Sequence, residues 1–145
     1  MHRFTNAQGI ELIKEYEGFS QTPYICAAGR PTIGFGHKIR KKDKMVLLTL
    51  AEAESLLIQD LFIAERAVIR AVSRELTDNQ FAALVSFTFN LGAAALQRSC
   101  LRQKVNYGQD KEAAREFLRW VYVGGKRLQG LANRRRAEGI LFLKE

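Results

Sequence analysis

The sequence predicts an α+β fold, mostly helical, with a small β-hairpin lobe and a cleft between two unequal lobes. Three observations carry that prediction. Apolar residues recur at helical spacing along most of the chain. The periodicity breaks between Phe19 and His37, where Thr, Pro, Tyr, Ile, Gly and Phe crowd together. Finally, 145 residues with 47% hydrophobic content suffice for one domain that buries a full core, roughly 68–70% of its unfolded surface, without disulfides or a structural metal. The expected division is a β-containing lobe over about 15–60 and a helical lobe formed by 1–14 and 61–145. Two Cys without a C-x-x-C pair, and only His2 and His37 as histidines, exclude zinc-ribbon and disulfide-framework classes. Disorder is excluded by 10% aromatic residues and only two Pro.

The elements follow in order. A first helix opens behind the cap candidates Thr5 and Asn6, carries Ile10, Ile13 and Tyr16 on one face with Leu12 nearby, and stops at Gly18 after Glu17. The stretch 19–37 reads as a hairpin or meander turned by Ala27-Ala28-Gly29-Arg30, with Pro23 and Pro31 at edge positions. Lys38, Arg40, Lys41, Lys42 and Lys44 then form a polar loop. Thr49 with Glu52 makes a capping box for a long helix reaching about Arg74, whose stripe is Leu50, Ala53, Leu57, Leu61, Ala64, Val68 and Ala71. A second box, Thr77 to Gln80, opens a helix through Leu91 that is apolar almost all round and is expected to be the buried axis. Gly92, Gly108 and Gly124-Gly125 divide the remainder into helices near 99–107, 111–122 and 131–143.

Charge gives a direction. Of the net +8, +7 lies in residues 98–145, so that end is expected to meet something anionic: nucleic acid, lipid headgroups or envelope polymers. No zinc, RNP or KH signature favours a specific nucleic-acid partner. No uncharged apolar run approaches the ~18 residues of a membrane span, and the start from Met1 to Asn6 is polar. The expectation is synthesis in the cytoplasm without a signal peptide.

Glu17 ends its helix at the junction between the lobes, where shielding from water favours the protonated form of a carboxyl and suits a general acid. By position alone it reads more readily as a solvated helix end. The specific signal is the ordered set Glu17, eight residues, Cys26, five residues, Thr32, then Ile33-Gly34-Phe35-Gly36-His37. This set resembles the active-site pattern of the phage-type lysozymes, the T4 lysozyme-like muramidase endolysins, in its Cys form. Leu76 to Leu84, Phe89-Asn90-Leu91-Gly92, Phe117 to Trp120 and Gly130 to Glu138 look like that family's central and closing helices, so the resemblance covers nearly the whole chain.

The resemblance implies a lysozyme-like fold and hydrolysis of the β-1,4 bond between N-acetylmuramic acid and N-acetylglucosamine in bacterial peptidoglycan, with inversion and without metal or cofactor. It makes Glu17 the general acid, Cys26 the residue beside the attacking water, and Thr32 the hydroxyl that positions it. The residue types suit the chemistry, since the leaving oxygen needs a proton and the oxocarbenium-like transition state needs a second group to support it or activate water. A neutral thiol does this poorly and a thiolate can, its proton affinity being lowered by cations such as those of the 38–44 loop. Gly36, Phe89 and Asn90 match substrate-binding positions, and Arg134 matches an arginine that pairs with the acid. His37 is expected to hold the hairpin to the helical lobe, because no paired acid sits at a recognisable spacing. Trp120 reads as packing and Cys100 as inert helix filler. A monomer acting on the cell wall of its bacterial host after release across the inner membrane is expected. Two alternatives stay open: a lytic transglycosylase with Glu17 as sole acid and base, and a non-catalytic binder of anionic polymers.

Overall fold

The computed structural model describes residues 1–44 and 46–145. Asn6 starts the first helix, α1 (Ala7–Glu17), by accepting the Gly9 N–H at 3.0 Å, while Thr5 instead donates to buried Glu65. Gly18 ends α1 at φ +69°, a left-handed turn that glycine makes without strain. A three-stranded antiparallel sheet follows, in the order β1 (Ser20–Ile25), β2 (Pro31–Gly34) and β3 (His37–Lys38). Tyr24 pairs with Thr32 and Ile33 with His37, which fixes the register of the expected site residues.

Both capping boxes form, Thr49–Glu52 opening α2 (Leu50–Ala71) and Thr77–Gln80 opening α3 (Asp78–Leu91). Two helix-end donors are satisfied in each. Helix α2 stops at Ala71 rather than Arg74, and Leu50 is exposed because it occupies the first turn, ahead of the packed face. In α3 every residue from Asn79 to Thr88 is buried, and α7 (Gln129–Leu143), α2 and α1 pack around it as the core axis. Full burial of side chains such as Phe81, Leu84 and Phe87 stabilises by about 1.5–3 kcal/mol each. Gly9 lets α1 approach α3, since a Cβ there would meet the Ala82 Cβ at 2.6 Å.

The last third differs from the sequence expectation. A short helix, α4 (Ala93–Arg98), precedes α5 (Cys100–Asn106), and the segment read as one helix over 111–122 is α6 (Asp110–Glu116) plus a 3₁₀ turn (Phe117–Arg119). Beyond it Gly124 and Gly125, both at positive φ, turn a two-stranded ribbon of β4 (Tyr122–Val123) and β5 (Lys126–Arg127). Both central turn residues at positive φ match the twist of a tight hairpin. Among the described residues no helix is long and apolar enough to cross a membrane.

Candidate functional site

Glu17 sits where α1 gives way to the sheet, and its carboxylate is held from the opposite side. Arg134 of α7, 3% exposed, donates from Nη1 to Glu17 Oε2 at 2.7 Å. The same guanidinium donates from Nη2 to the Ser86 carbonyl at 3.2 Å and from Nε to Glu138 Oε2 at 3.3 Å. Gly36 is at φ +79°, and a Cβ there would collide with Glu17 Oε1. Glycine is therefore required twice over, for its backbone conformation and for the room it leaves the carboxylate.

Cys26 follows β1 and stands beside Thr32 of β2 at the closed end of the hairpin. The Cys26 N–H donates to the Arg30 carbonyl at 3.0 Å, and the Gly29 N–H returns to the Cys26 carbonyl at 2.8 Å. The tight turn aims backbone N–H groups at the sulfur. Chiefly the Arg30 N–H, then the Thr32 hydroxyl, bring the Cys26 thiol down to about 7; burial opposes them, and the Ala28 N–H and Lys38 add smaller pulls. Cations of the 38–44 loop were the expected source of this lowering, and they supply only a small part of it. Only Lys38 acts, and it is the weakest contributor, because turn amides touch the sulfur and the lysine does not. Thr32 is fully buried and its hydroxyl donates to the Arg30 carbonyl at 2.9 Å. With one proton it can serve either that carbonyl or a thiolate.

A cleft of about 520 Å³ lies between the sheet side and the helices. Glu17, Gly36, His37, Phe89 and Asn90 line it, with Arg30, Lys38 and Arg40 giving its sheet-side wall positive charge. Cys26 and Thr32 are not among the lining residues. A larger hollow of about 920 Å³ between α1 and α7 is more open and holds none of the expected site residues.

His37 makes the expected link from the sheet to a helix, through acidic partners that no spacing in the sequence announced. Its Nδ1 lies 2.7 Å from Asp60 of α2 and its Nε2 3.4 Å from Asp43, so it ties β3 to both α2 and the following loop. Burial pushes the Asp60 carboxyl up, and His37 pulls it back. Trp120 packs edge-on against Phe87 at 5.6 Å. Cys100 is exposed at the start of α5, not filler, and both cysteines are free.

Four polar residues around the site escaped the sequence reading: Tyr24, Ser86, Arg135 and Glu138. Tyr24 is close enough to Glu17 and Cys26 that, after burial, their negative charges push its hydroxyl up. Its signal was the two-residue spacing to Cys26. Arg135 and Glu138 are fully buried, although Arg134-Arg135-Arg136 looks like a solvated run. Their signal was Glu138 at i+4 from Arg134 and i+3 from Arg135.

The phage lysozyme family model matches residues 14–138. This chain belongs to the phage lysozyme family. An endolysin of Bacillus phage PZA is 40% identical over 136 residues, which are 92% of this chain and 53% of that protein. An endolysin of Acyrthosiphon pisum secondary endosymbiont phage 1 is 39% identical over 93% of this chain and 94% of its own length. The chain thus spans about half the length of its Bacillus phage relative and nearly all of the other. Among solved structures, the muramidase domain of SpmX from Asticaccaulis excentricus superposes with a TM-score of 0.89 at 37% identity, covering 100% of both chains. The chain shares that structure's α+β, lysozyme-like fold.

Proposed function

We propose that this protein acts as an endolysin that hydrolyses the β-1,4 bond between N-acetylmuramic acid and N-acetylglucosamine, with Glu17 as general acid, Cys26 and Thr32 handling the attacking water, and Gly36, Phe89 and Asn90 lining the sugar site. The observation that carries the reading is the Glu17 carboxylate at the cleft wall, anchored through Oε2 by buried Arg134 while Oε1 lies against Gly36. One oxygen is fixed and the other has room to deliver a proton. A positioned acid on one side and a water held by Cys26 and Thr32 on the other suit an inverting displacement. His37 supports the site by holding the sheet to α2. Its place of work is the wall, reached after release across the inner membrane.

Purified sacculi incubated with the protein and analysed by mass spectrometry and NMR should show new reducing N-acetylmuramic acid ends, formed in the α configuration. Anhydro ends would assign the reaction to a lytic transglycosylase instead.

The basic final third is assigned to attachment at the anionic envelope surface. Arg115, Arg119, Lys126 and Arg127 are exposed, and their fields reach only about 8–10 Å near physiological ionic strength. High salt should release the protein from whole envelopes. Replacing the four with Gln should weaken pelleting with envelopes at low salt and leave cleavage of a short soluble glycan near the parent rate. Equal pelleting of variant and parent would sink the assignment.

A further inference from the structure

Behind the cleft wall lies a buried chain of alternating charge. It runs from Glu17 to Arg134, Glu138 and Arg135, and ends on Asn90. Arg134 is 3% exposed, and Arg135 and Glu138 are 0% exposed. Glu138 Oε2 accepts from the Ser86 hydroxyl at 2.5 Å and from Arg134 Nε at 3.3 Å, while Oε1 lies 3.1 Å from Arg135 Nη1. Arg135 Nη2 donates to Asn90 Oδ1. We propose that Glu138 is a positioning residue that holds the Glu17 carboxylate and the Asn90 amide in one register, acting through Arg134 and Arg135 and itself fixed by Ser86. This deepens the reading of Glu17 as the acid and rests on it.

The geometry favours positioning over stability. Replacing buried ion pairs by packed apolar side chains of similar volume is often neutral or stabilising, so a core at α3 and α7 does not require these charges. What charges add here is direction. All three guanidinium nitrogens of Arg134 are occupied, by Glu138, Glu17 and Ser86, so its plane is defined and only one arm faces Glu17. An arginine has donors only, so Asn90 must present its oxygen to Arg135, which leaves its NH₂ as the group offered to the cleft. Glu17 is on α1 and Asn90 on α3, and one carboxylate on α7 anchors both contacts. Burial pushes the Glu138 carboxyl up, against Arg135, Arg134 and the Ser86 hydroxyl. The charged groups facing it are those two arginines, with Glu17 beyond Arg134, and α3 contributes only neutral Ser86 and Asn90.

The test uses the full chain on a soluble peptidoglycan oligosaccharide, with folding checked by thermal unfolding. Glu138→Gln keeps the shape and removes the charge, and should lower kcat on the order of 10- to 10²-fold, since small misplacements of reacting groups cost that much. It should also raise KM, because the Asn90 amide is no longer fixed. In an Asn90→Ala background the KM effect of Glu138→Gln should vanish, a non-additivity that a residue serving only stability would not give. Ser86→Ala removes the hydroxyl that donates to Glu138 and accepts from Arg134, and should reproduce both effects in smaller measure. If Glu138→Gln does not fold, the Ser86→Ala and Asn90→Ala cycle decides. Parental kcat and KM in a folded Glu138→Gln or Ser86→Ala variant, or additive effects with Asn90→Ala, would overturn the proposal. Glu17→Gln separates the two failures: if it still cleaves, the reading of the active site is wrong, whereas an inactive Glu17→Gln beside a parental Glu138→Gln removes only the positioning role.

Discussion

Glu17→Gln should abolish lysis of purified sacculi while the protein remains folded. The amide has the shape of the carboxyl and still offers an oxygen to Arg134 Nη1, so the 2.7 Å contact can persist. It has no proton to give to a leaving glycosidic oxygen. General acid catalysis contributes typically about 10²–10⁴-fold, so the loss should be evident in a turbidity assay without fine kinetics. Arg134 keeps Glu138 and Ser86 after the substitution and is not left as an uncompensated buried charge. The stability change should therefore stay within about 1.5–3 kcal/mol, the range for a hydrogen bond to a charged group, and thermal unfolding should still show one cooperative transition. A folded variant that lyses sacculi near the parental rate would remove Glu17 from the chemistry.

Much of this architecture was legible because its signals are local. Thr49–Glu52 and Thr77–Gln80 each specify a helix start within four residues, and both boxes form as written. Glu17, Cys26 and Thr32 were legible through their resemblance to a family's active-site pattern, and the register that pairs Tyr24 with Thr32 and Ile25 with Pro31 sets Cys26 near Thr32. The ribbon of Tyr122–Val123 and Lys126–Arg127 was missed because two-residue strands are too short to show a period, so its glycines read only as a break. Helix α4 was missed for a related reason: six residues give barely one and a half turns, and Gly92 both ends α3 and precedes α4. The partners of His37 were illegible for another reason. Asp60 arrives from a separate helix, and no spacing in the chain announces which acid tertiary packing will bring. Arg135 and Glu138 are the instructive case, because charged residues are almost never fully buried unless paired, and a run of three arginines gives no hint that two of them turn inward.

Cleavage of a soluble glycan should rise between about pH 6 and pH 8 in the parent, and this rise should be lost in Cys26→Asp. The sign follows from the thiol's position at about 7, lowered chiefly by the Arg30 N–H and the Thr32 hydroxyl. Below that value the group is a neutral thiol, which supports neither a developing positive charge nor a water's proton. Above it the thiolate does both, and the Thr32 hydroxyl is free to turn from the Arg30 carbonyl toward the sulfur. One pH unit either side moves the thiolate from roughly a tenth to nine tenths of the population, so the limb should span nearly tenfold. An aspartate at position 26 is ionised throughout that window, given an ordinary value of about 3.9, and should keep activity at the acid end where the parent fades. Cys26→Ala can neither bear charge nor accept a useful hydrogen bond, and should show no rise over this range and fall about 10²-fold below the parent at its alkaline end, the lower bound for a positioned base. Alkylation of the parent repeats the comparison without a substitution, provided exposed Cys100 is first changed to Ala so that only one thiol reacts. A flat profile from about pH 6 to 8, or full cleavage after complete modification of Cys26, would return this cysteine to a packing role and leave the attacking water to Thr32 alone.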